Sequence, residues 1–418
     1  MVDAGRQLSD KAAWTAGEGP LSEQDERAVS LEQVRTLAEA GRFDAALRAA
    51  AKLPAETEAV RLFQRGAAAL KRNDSFAAVA AFEALAVVES GFPALWDALG
   101  SAYRRDARYE DCLTVAAKAP STRQLRYEAG MSHLALGEGE KALATFDAIL
   151  AEDPEHAASW YASHAPALEL HGLAAACDRL ERACACAGAN GKYWGFLAAY
   201  ALLEGRDAHE LIRTHVQPHP ARRALVDGVA SLLPRCADAQ MFGLSASLLR
   251  YAVAQAKEEG MVLEFGVRRG TSIRVLAEVA GQGVHGFDSF EGLPESWGNE
   301  PAGVLTTGAD LPEVPANVSL YAGWFQDTLP AFLQTHPGPV RLVNIDSDIY
   351  ASARTVLNAL KDRIRPGTVL VFDEFIGNRT WAEDEFKAFA EFVAETGVAW
   401  RVIALSPFTK QVAVVIDA

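Results

Sequence analysis

The stretch Met261-Val-Leu-Glu-Phe-Gly-Val-Arg-Arg-Gly-Thr-Ser272 is followed, after a short interval, by Val284-His-Gly-Phe-Asp-Ser-Phe-Glu-Gly-Leu-Pro294. The apolar run before Gly266 reads as a buried strand, the glycines as a turn opening a helix, and the second run as a strand ending in Asp288. Asp288 lies 22 positions after Gly266. Glycines let the backbone approach a ligand closely, and a carboxylate at the end of the second strand can accept hydrogen bonds from two ribose hydroxyls. Such a pattern belongs to an α/β domain that binds a nucleoside.

Outward from that stretch, the chain has 418 residues, half of them apolar, enough for two or three domains with cores of their own. No run of about 18 uncharged apolar residues occurs, and the first residues lack a basic stretch leading into an apolar one. Neither a membrane span nor secretion is expected. The five cysteines, Cys112, Cys177, Cys184, Cys186 and Cys236, are odd in number and suit reduced thiols in a cytoplasm. The close set Cys177, Cys184 and Cys186 is one ligand short of a zinc site and reads as helix packing. Net charge is −15, and basic residues cluster no further than pairs such as Arg268-Arg269. Without a basic stripe to displace counterions, nucleic acid is excluded as a partner.

Before residue 205 the chain repeats itself with a period near 34. Gly66, Gly100 and Gly130 fall in one column, and His164 arrives 34 residues after Gly130. Trp96, Leu99 and Tyr103 surround Gly100; Ala78 and Phe82 follow Gly66; His133, Ala142, Phe146 and Pro154 accompany Gly130; Trp160 opens the next unit. These columns resemble tetratricopeptide repeats, in which two helices meet at small residues and a proline ends the second. About five units can be drawn between Leu31 and Tyr200. The domains expected are a loosely ordered leader over 1–28, helical repeats over 29–204, a connector over 205–240 holding Pro218, Pro220 and Pro234, and the nucleoside-binding domain over 241–418. His215 and His219 have metal-like spacing, but the prolines around them favour a solvated linker.

In that last domain, apolar strands are expected at 261–266, 284–288, 317–321, 340–345, 367–372, 400–405 and 411–416, seven in all. Only Ser406-Pro-Phe-Thr-Lys410 separates the last two, too short for a helical crossover, so they should form an antiparallel hairpin. A mostly parallel sheet with such a terminal hairpin resembles the class I methyltransferase fold. A nicotinamide-dependent dehydrogenase would more often carry Gly-x-Gly-x-x-Gly, and here Val267, Arg268 and Arg269 separate Gly266 from Gly270.

Four blocks, in order, sharpen the likeness: Glu264-Phe-Gly-Val-x-x-Gly-x-Ser272, Phe287-Asp-Ser-Phe-Glu-Gly-Leu-Pro294, Gly323-Trp-Phe-x-x-Thr-Leu-Pro330, and Ile345-Asp-Ser-Asp-Ile-Tyr350 leading to Phe372-Asp-Glu-Phe375. Together, over residues 240 to 418, they resemble the macrocin O-methyltransferase family, S-adenosylmethionine-dependent enzymes that methylate hydroxyls, characteristically on sugars. The resemblance implies that Glu264, Gly266, Gly270 and Ser272 surround the methionine part of S-adenosylmethionine, that Asp288 holds its ribose, and that Ser289, Trp324 and Phe325 line the same cleft. It also implies a divalent ion, Mg²⁺, held by Asp346 and the pair Asp373 and Glu374. Glu374 is one methylene longer than the family's usual aspartate.

Asp346 is then the candidate base for an acceptor hydroxyl, which is reluctant to lose its proton near neutral pH. Trp381 and Glu385 are placed to shape the acceptor pocket, but they suit better a helix start with acids in its first turn. The chain is thus expected to be an O-methyltransferase acting on a small-molecule or glycan hydroxyl, with repeats that engage a protein partner or the substrate. The alternative is a repeat adaptor with a catalytically silent methyltransferase-like domain. The acceptor is not legible, and a homo-oligomer stays open.

Overall fold

The glycine column of the repeats has a steric cause. A Cβ on Gly66 would sit 2.6 Å from the Phe82 ring, one on Gly130 2.7 Å from the Phe146 ring, and one on Gly100 2.6 Å from Leu125 Cδ1. Only a residue without a side chain lets neighbouring helices approach so closely. The computed structural model, which describes residues 29–298 and 300–417, shows these pairs in sequence. They are α1 (Leu31–Glu39) with α2 (Phe43–Ala50), α3 (Glu58–Lys71) with α4 (Ser75–Val88), and α5 (Leu95–Arg105) with α6 (Tyr109–Lys118). Then come α7 (Arg123–Ala135) with α8 (Gly139–Glu152) and α9 (Ala157–His171) with α10 (Leu173–Ala185). Side-chain caps from Ser30, Thr57 and Thr122 satisfy the opening N–H groups of α1, α3 and α7. The leader over 1–28 lies outside the described residues.

Residues 205–240, expected as a solvated connector, fold differently. After α11 (Tyr193–Leu203), the short α12 (His209–Leu211) runs into a π turn at Ile212–Val216, and α13 (Pro220–Leu232) packs back on α11. Pro220 sits at the first position of α13, where its missing N–H costs nothing. His215 is no exposed ligand; its ring stacks on Trp194 at 4.0 Å. Val229 and Leu232 are fully buried in one apolar core with Phe196 and Tyr200 of α11, with Phe265 and Phe372 of the sheet that follows, and with Phe375 just beyond it. The two halves of the chain therefore share a core.

That sheet has eight strands: β1 (Gln240–Met241), β2 (Met261–Phe265), β3 (Val284–Asp288), β4 (Val318–Ala322), β5 (Val340–Ile345), β6 (Val369–Phe372), β7 (Trp400–Leu405) and β8 (Val412–Ile416). Their order is β1-β7-β8-β6-β5-β2-β3-β4. The expected count of seven is corrected by β1, a two-residue strand beside β7 too short to show any alternation. β6 and β7 both pair antiparallel with β8, and every other neighbouring pair is parallel. Helices α14 (Ser245–Gln255), α15 (Thr271–Val279), α16 (Phe325–Thr335), α17 (Tyr350–Leu360) and α18 (Glu385–Thr396) flank the sheet. Chain direction departs from sequential order between β2 and β5, which places a crevice beyond their C-terminal ends. Among the described residues no helix is long and apolar enough to cross a membrane.

The Arg-Arg pair inside the glycine turn is the fastening between the halves. Arg269 Nη2 meets Asp106 Oδ2 at 2.6 Å, and Arg268 Nη2 lies 3.5 Å from Asp106 Oδ1 and donates to the Arg105 carbonyl at 3.1 Å. Asp106, just past α5, is 1% exposed and also accepts from Ser75 Oγ. Asp106→Ala would strand two partly buried guanidinium groups, so urea unfolding is expected to report a loss of about 3–5 kcal/mol. A loss below about 1 kcal/mol would show the junction to be a surface pairing.

Candidate functional site

At the C-terminal end of β2 the chain turns at Gly266, whose φ is +99°. A Cβ there would stand 1.7 Å from the Asp346 carbonyl oxygen, so this position brings the β2 and β5 termini together as no other residue could. Gly270, φ +80°, opens α15. Ser272 on its first turn donates to Glu264 Oε1, while Glu264 Oε2 is buried and has no hydrogen-bond partner among the described residues. A buried carboxylate oxygen left unpaired is expected to find a donor in a ligand. A cofactor ammonium is one such donor, and on that observation S-adenosylmethionine fits.

Burial, followed by the fields of Asp373 and Asp288, pushes Glu264 up to about 8 against the lowering effect of the Ser272 hydroxyl. Between its ordinary value near 4.5 and about 8, the folded chain keeps a proton that the unfolded chain has released, so this group removes stability as pH rises through that window. Glu264→Gln abolishes the titration. Its stability relative to the parent is expected to increase from pH 5 to 8, by at most about 1.4 kcal/mol per pH unit, in denaturant titrations without cofactor. A difference independent of pH would refute this reading of Glu264.

Asp288 ends β3 and has both oxygens engaged, Oδ2 by the Arg268 N–H at 2.7 Å and Oδ1 by the Phe290 N–H at 2.6 Å. It therefore ties the glycine turn to the turn after β3. Ser289 is used locally, accepting from the Glu291 N–H and facing the Gly292 carbonyl. Trp324 precedes α16 and is half-buried, whereas Phe325 packs edge-on against Phe265 at 5.2 Å, which makes it part of the core wall.

Beyond β5 and β6 the acids gather. Asp346 and Asp373 line a cavity of about 310 Å³ that also takes in Ser245, Thr271, Ser272 and Phe408. Burial first, then the charges of Asp373, Asp348, Glu385 and Glu264, hold Asp346 well above the carboxylate range. Asp373 is raised to about 7 by burial and Glu374, although Gln411 donates to its Oδ1. Asp348, at φ +61°, is raised to about 8 by burial, Glu374 and Asp373.

Glu374 is drawn elsewhere: Lys410 Nζ stands 3.1 Å from its Oε2, and Asn378 donates to the same oxygen. Among the described residues no group of three or more His, Cys, Asp or Glu is arranged as metal ligands. The three acids expected to share an ion are thus not brought into one shell, because the β7–β8 hairpin supplies Glu374 with a cation. Asp346 and Asp373 do share the cavity, and their mutual repulsion suits a cation, since Mg²⁺ commonly takes only one or two protein carboxylates with waters.

Glu385, which from the sequence suits a helix start better than an acceptor pocket, is a buried brace of the site. Fully buried at the head of α18, it accepts from the Ser347 N–H at 3.1 Å and from the Glu374 N–H at 3.3 Å, so it joins the loops after β5 and β6. Its place at a helix start concealed this. The repeats also reach the cavity through Arg104, Tyr109, Met131 and Leu134.

A family model described as "Methyltransferase domain" matches residues 263–375. The 8-demethyl-8-(2,3-dimethoxy-alpha-L-rhamnosyl)-tetracenomycin-C 4'-O-methyltransferase of Streptomyces olivaceus is 30% identical over 204 residues, 40% of this chain and 76% of that protein. Among solved structures, CalS11, a calicheamicin methyltransferase, is similar at 19% identity and a TM-score of 0.34 over 53% of this chain and 91% of its own. A tetratricopeptide repeat protein from Parabacteroides merdae is similar at 16% identity and a TM-score of 0.29 over 41% of this chain and 84% of its own. With 76% of the Streptomyces enzyme covered at 30% identity, the chain belongs to the class I S-adenosylmethionine-dependent O-methyltransferases of the macrocin family.

Proposed function

We propose that this O-methyltransferase acts on a hydroxyl of a sugar or polyol, with Asp346 as the base. The observation that carries the reading is the position of Asp346, a carboxylate of raised proton affinity lining the cavity beside Ser272 at the mouth of the glycine turn. The acceptor oxygen attacks the sulfonium methyl, a C–O bond forms as the C–S bond breaks, and the hydroxyl proton passes to Asp346. S-adenosylhomocysteine leaves with the sulfur electron pair. Glu385 holds the loop carrying Asp346 against the loop carrying Asp373, so the base is presented by two strand ends braced together.

The sugar class is supported by the Streptomyces relative, whose name places its methyl group on a rhamnosyl-bearing product. Where a divalent cation is bound, Asp346 and Asp373 would hold it, and it would lower the acceptor hydroxyl's pKa. Glu264, Gly270 and Ser272 would receive the cofactor's methionyl end, with Asp288 and Ser289 at the ribose and Trp324 at the adenine. A cytoplasmic location and a protein partner on the outer repeat surface complete the proposal.

Titration calorimetry of S-adenosylmethionine into the full chain tests it, followed by methyl-transfer assays over free and nucleotide-linked sugars. Saturable binding is expected, with Asp288→Ala weakening it by about 10-fold or more as the two turns lose their shared carboxylate. An unchanged affinity in Asp288→Ala would remove the ribose assignment.

A further inference from the structure

The cavity at the end of the sheet has walls of opposite character. One is acidic, with Asp346 and Asp373; the other is made by the first turn of α15 and by Arg104, which comes from α5 of the repeats. Arg104 is not a surface residue that happens to be near. Its Nε donates to Glu128 of α7, a carboxylate with no exposure, and Gln124 donates to the second Glu128 oxygen at 2.8 Å. The guanidinium is therefore clamped at one nitrogen, and no hydrogen bond among the described residues uses its two terminal nitrogens. On the same wall, Thr271 Oγ1 is sealed from solvent and likewise has no hydrogen-bond partner among the described residues. Its helix presents the unpaired N–H groups of a first turn to the same space.

A ligand end that satisfies both walls carries a positive and a negative charge a few bonds apart. An anion alone would be repelled by Asp346 and Asp373, and a cation alone by Arg104. The α-amino acid end of S-adenosylmethionine has that polarity, and this argument rests on the cofactor reading above. We propose that Arg104 binds the methionyl carboxylate of S-adenosylmethionine, together with Thr271 and the first-turn N–H groups of α15, so that the helical repeats form one wall of the cofactor site. Planar guanidinium groups suit carboxylates because they offer two parallel N–H donors. The consequence is specific to this chain: a residue some 160 positions before the glycine turn belongs to the methyl-transfer site.

The test compares S-adenosylmethionine with its decarboxylated form, which keeps the sulfonium, the ammonium and the nucleoside and lacks only the carboxylate. Affinities are measured by calorimetry for the parent chain, for Arg104→Met, and for the double variant Arg104→Met/Glu128→Gln, in which no buried carboxylate is left without its cation. The parent is expected to prefer S-adenosylmethionine by about 10–100-fold, and the double variant to lose about tenfold or more of that preference while binding the decarboxylated form as the parent does. A preference that persists in either variant overturns the proposal. Equal loss of both ligands in both variants overturns it too, since Arg104 then serves only to hold the repeats. A parent that binds both ligands equally sinks the carboxylate contact and leaves the cofactor reading intact, whereas a parent that binds neither sinks both.

Discussion

Gly266→Ala is expected to abolish S-adenosylmethionine binding and to destabilise the chain by about 2–6 kcal/mol, the sum of a strained backbone and an overpacked junction. Two observations combine. A φ of +99° is one that an L-residue adopts only under strain, and the new methyl would lie 1.7 Å from the Asp346 carbonyl oxygen. Relief requires the β2 and β5 ends to part. The Asp346 N–H donates to the Phe265 carbonyl at 2.8 Å at that very junction, so its parting also displaces Asp346. Urea unfolding and calorimetry on the purified variant check this; parent-like stability with parent-like affinity would contradict the packing described for the turn.

Asp346→Asn should act mainly on rate. The amide keeps the shape of the carboxyl and removes its proton affinity, so kcat is expected to fall by about 10²–10⁴, with a much smaller loss of cofactor affinity because Asp373 and Glu264 keep their carboxyls. The pH profile separates this from a loss of fold. The limb of the parent profile that reports deprotonation of the coupled acids should flatten in the variant if Asp346 is the member that takes the acceptor's proton, as proposed. A variant that keeps the parent's kcat and profile would move the base to another residue, with Asp373 first in line.

What the sequence disclosed was local. Glu264, Gly266 and Asp288 declare themselves because strand, turn and helix are written within 28 consecutive residues, and the hairpin over 400–416 because its loop is too short for anything else. The repeat columns were legible for the same reason, each glycine answering to a large side chain in its own or the next unit, the Phe82 and Phe146 rings and Leu125. Long-range partnerships were not. Nothing near Arg268-Arg269 points to Asp106, and nothing near Glu374 points to Lys410, which captures it from the hairpin. The prolines of 205–240 spoke for a linker, yet proline also begins helices, and only tertiary burial of Val229 and Leu232 decides between the two. Glu385 looked like an ordinary first-turn acid because its two backbone donors sit on other loops.

The core shared by α11 and α13 with the sheet bears on how the chain is made. During synthesis the repeats emerge first, with Phe196, Leu197 and Tyr200 facing a surface whose other side, Phe372 and Phe375 among it, has yet to be translated. At about 5–20 residues per second, the interval is on the order of 10–30 s. For that time a nascent array would expose its apolar end to whatever is nearby, so yield on expression should depend on translation speed and on chaperones more steeply than final stability alone would suggest.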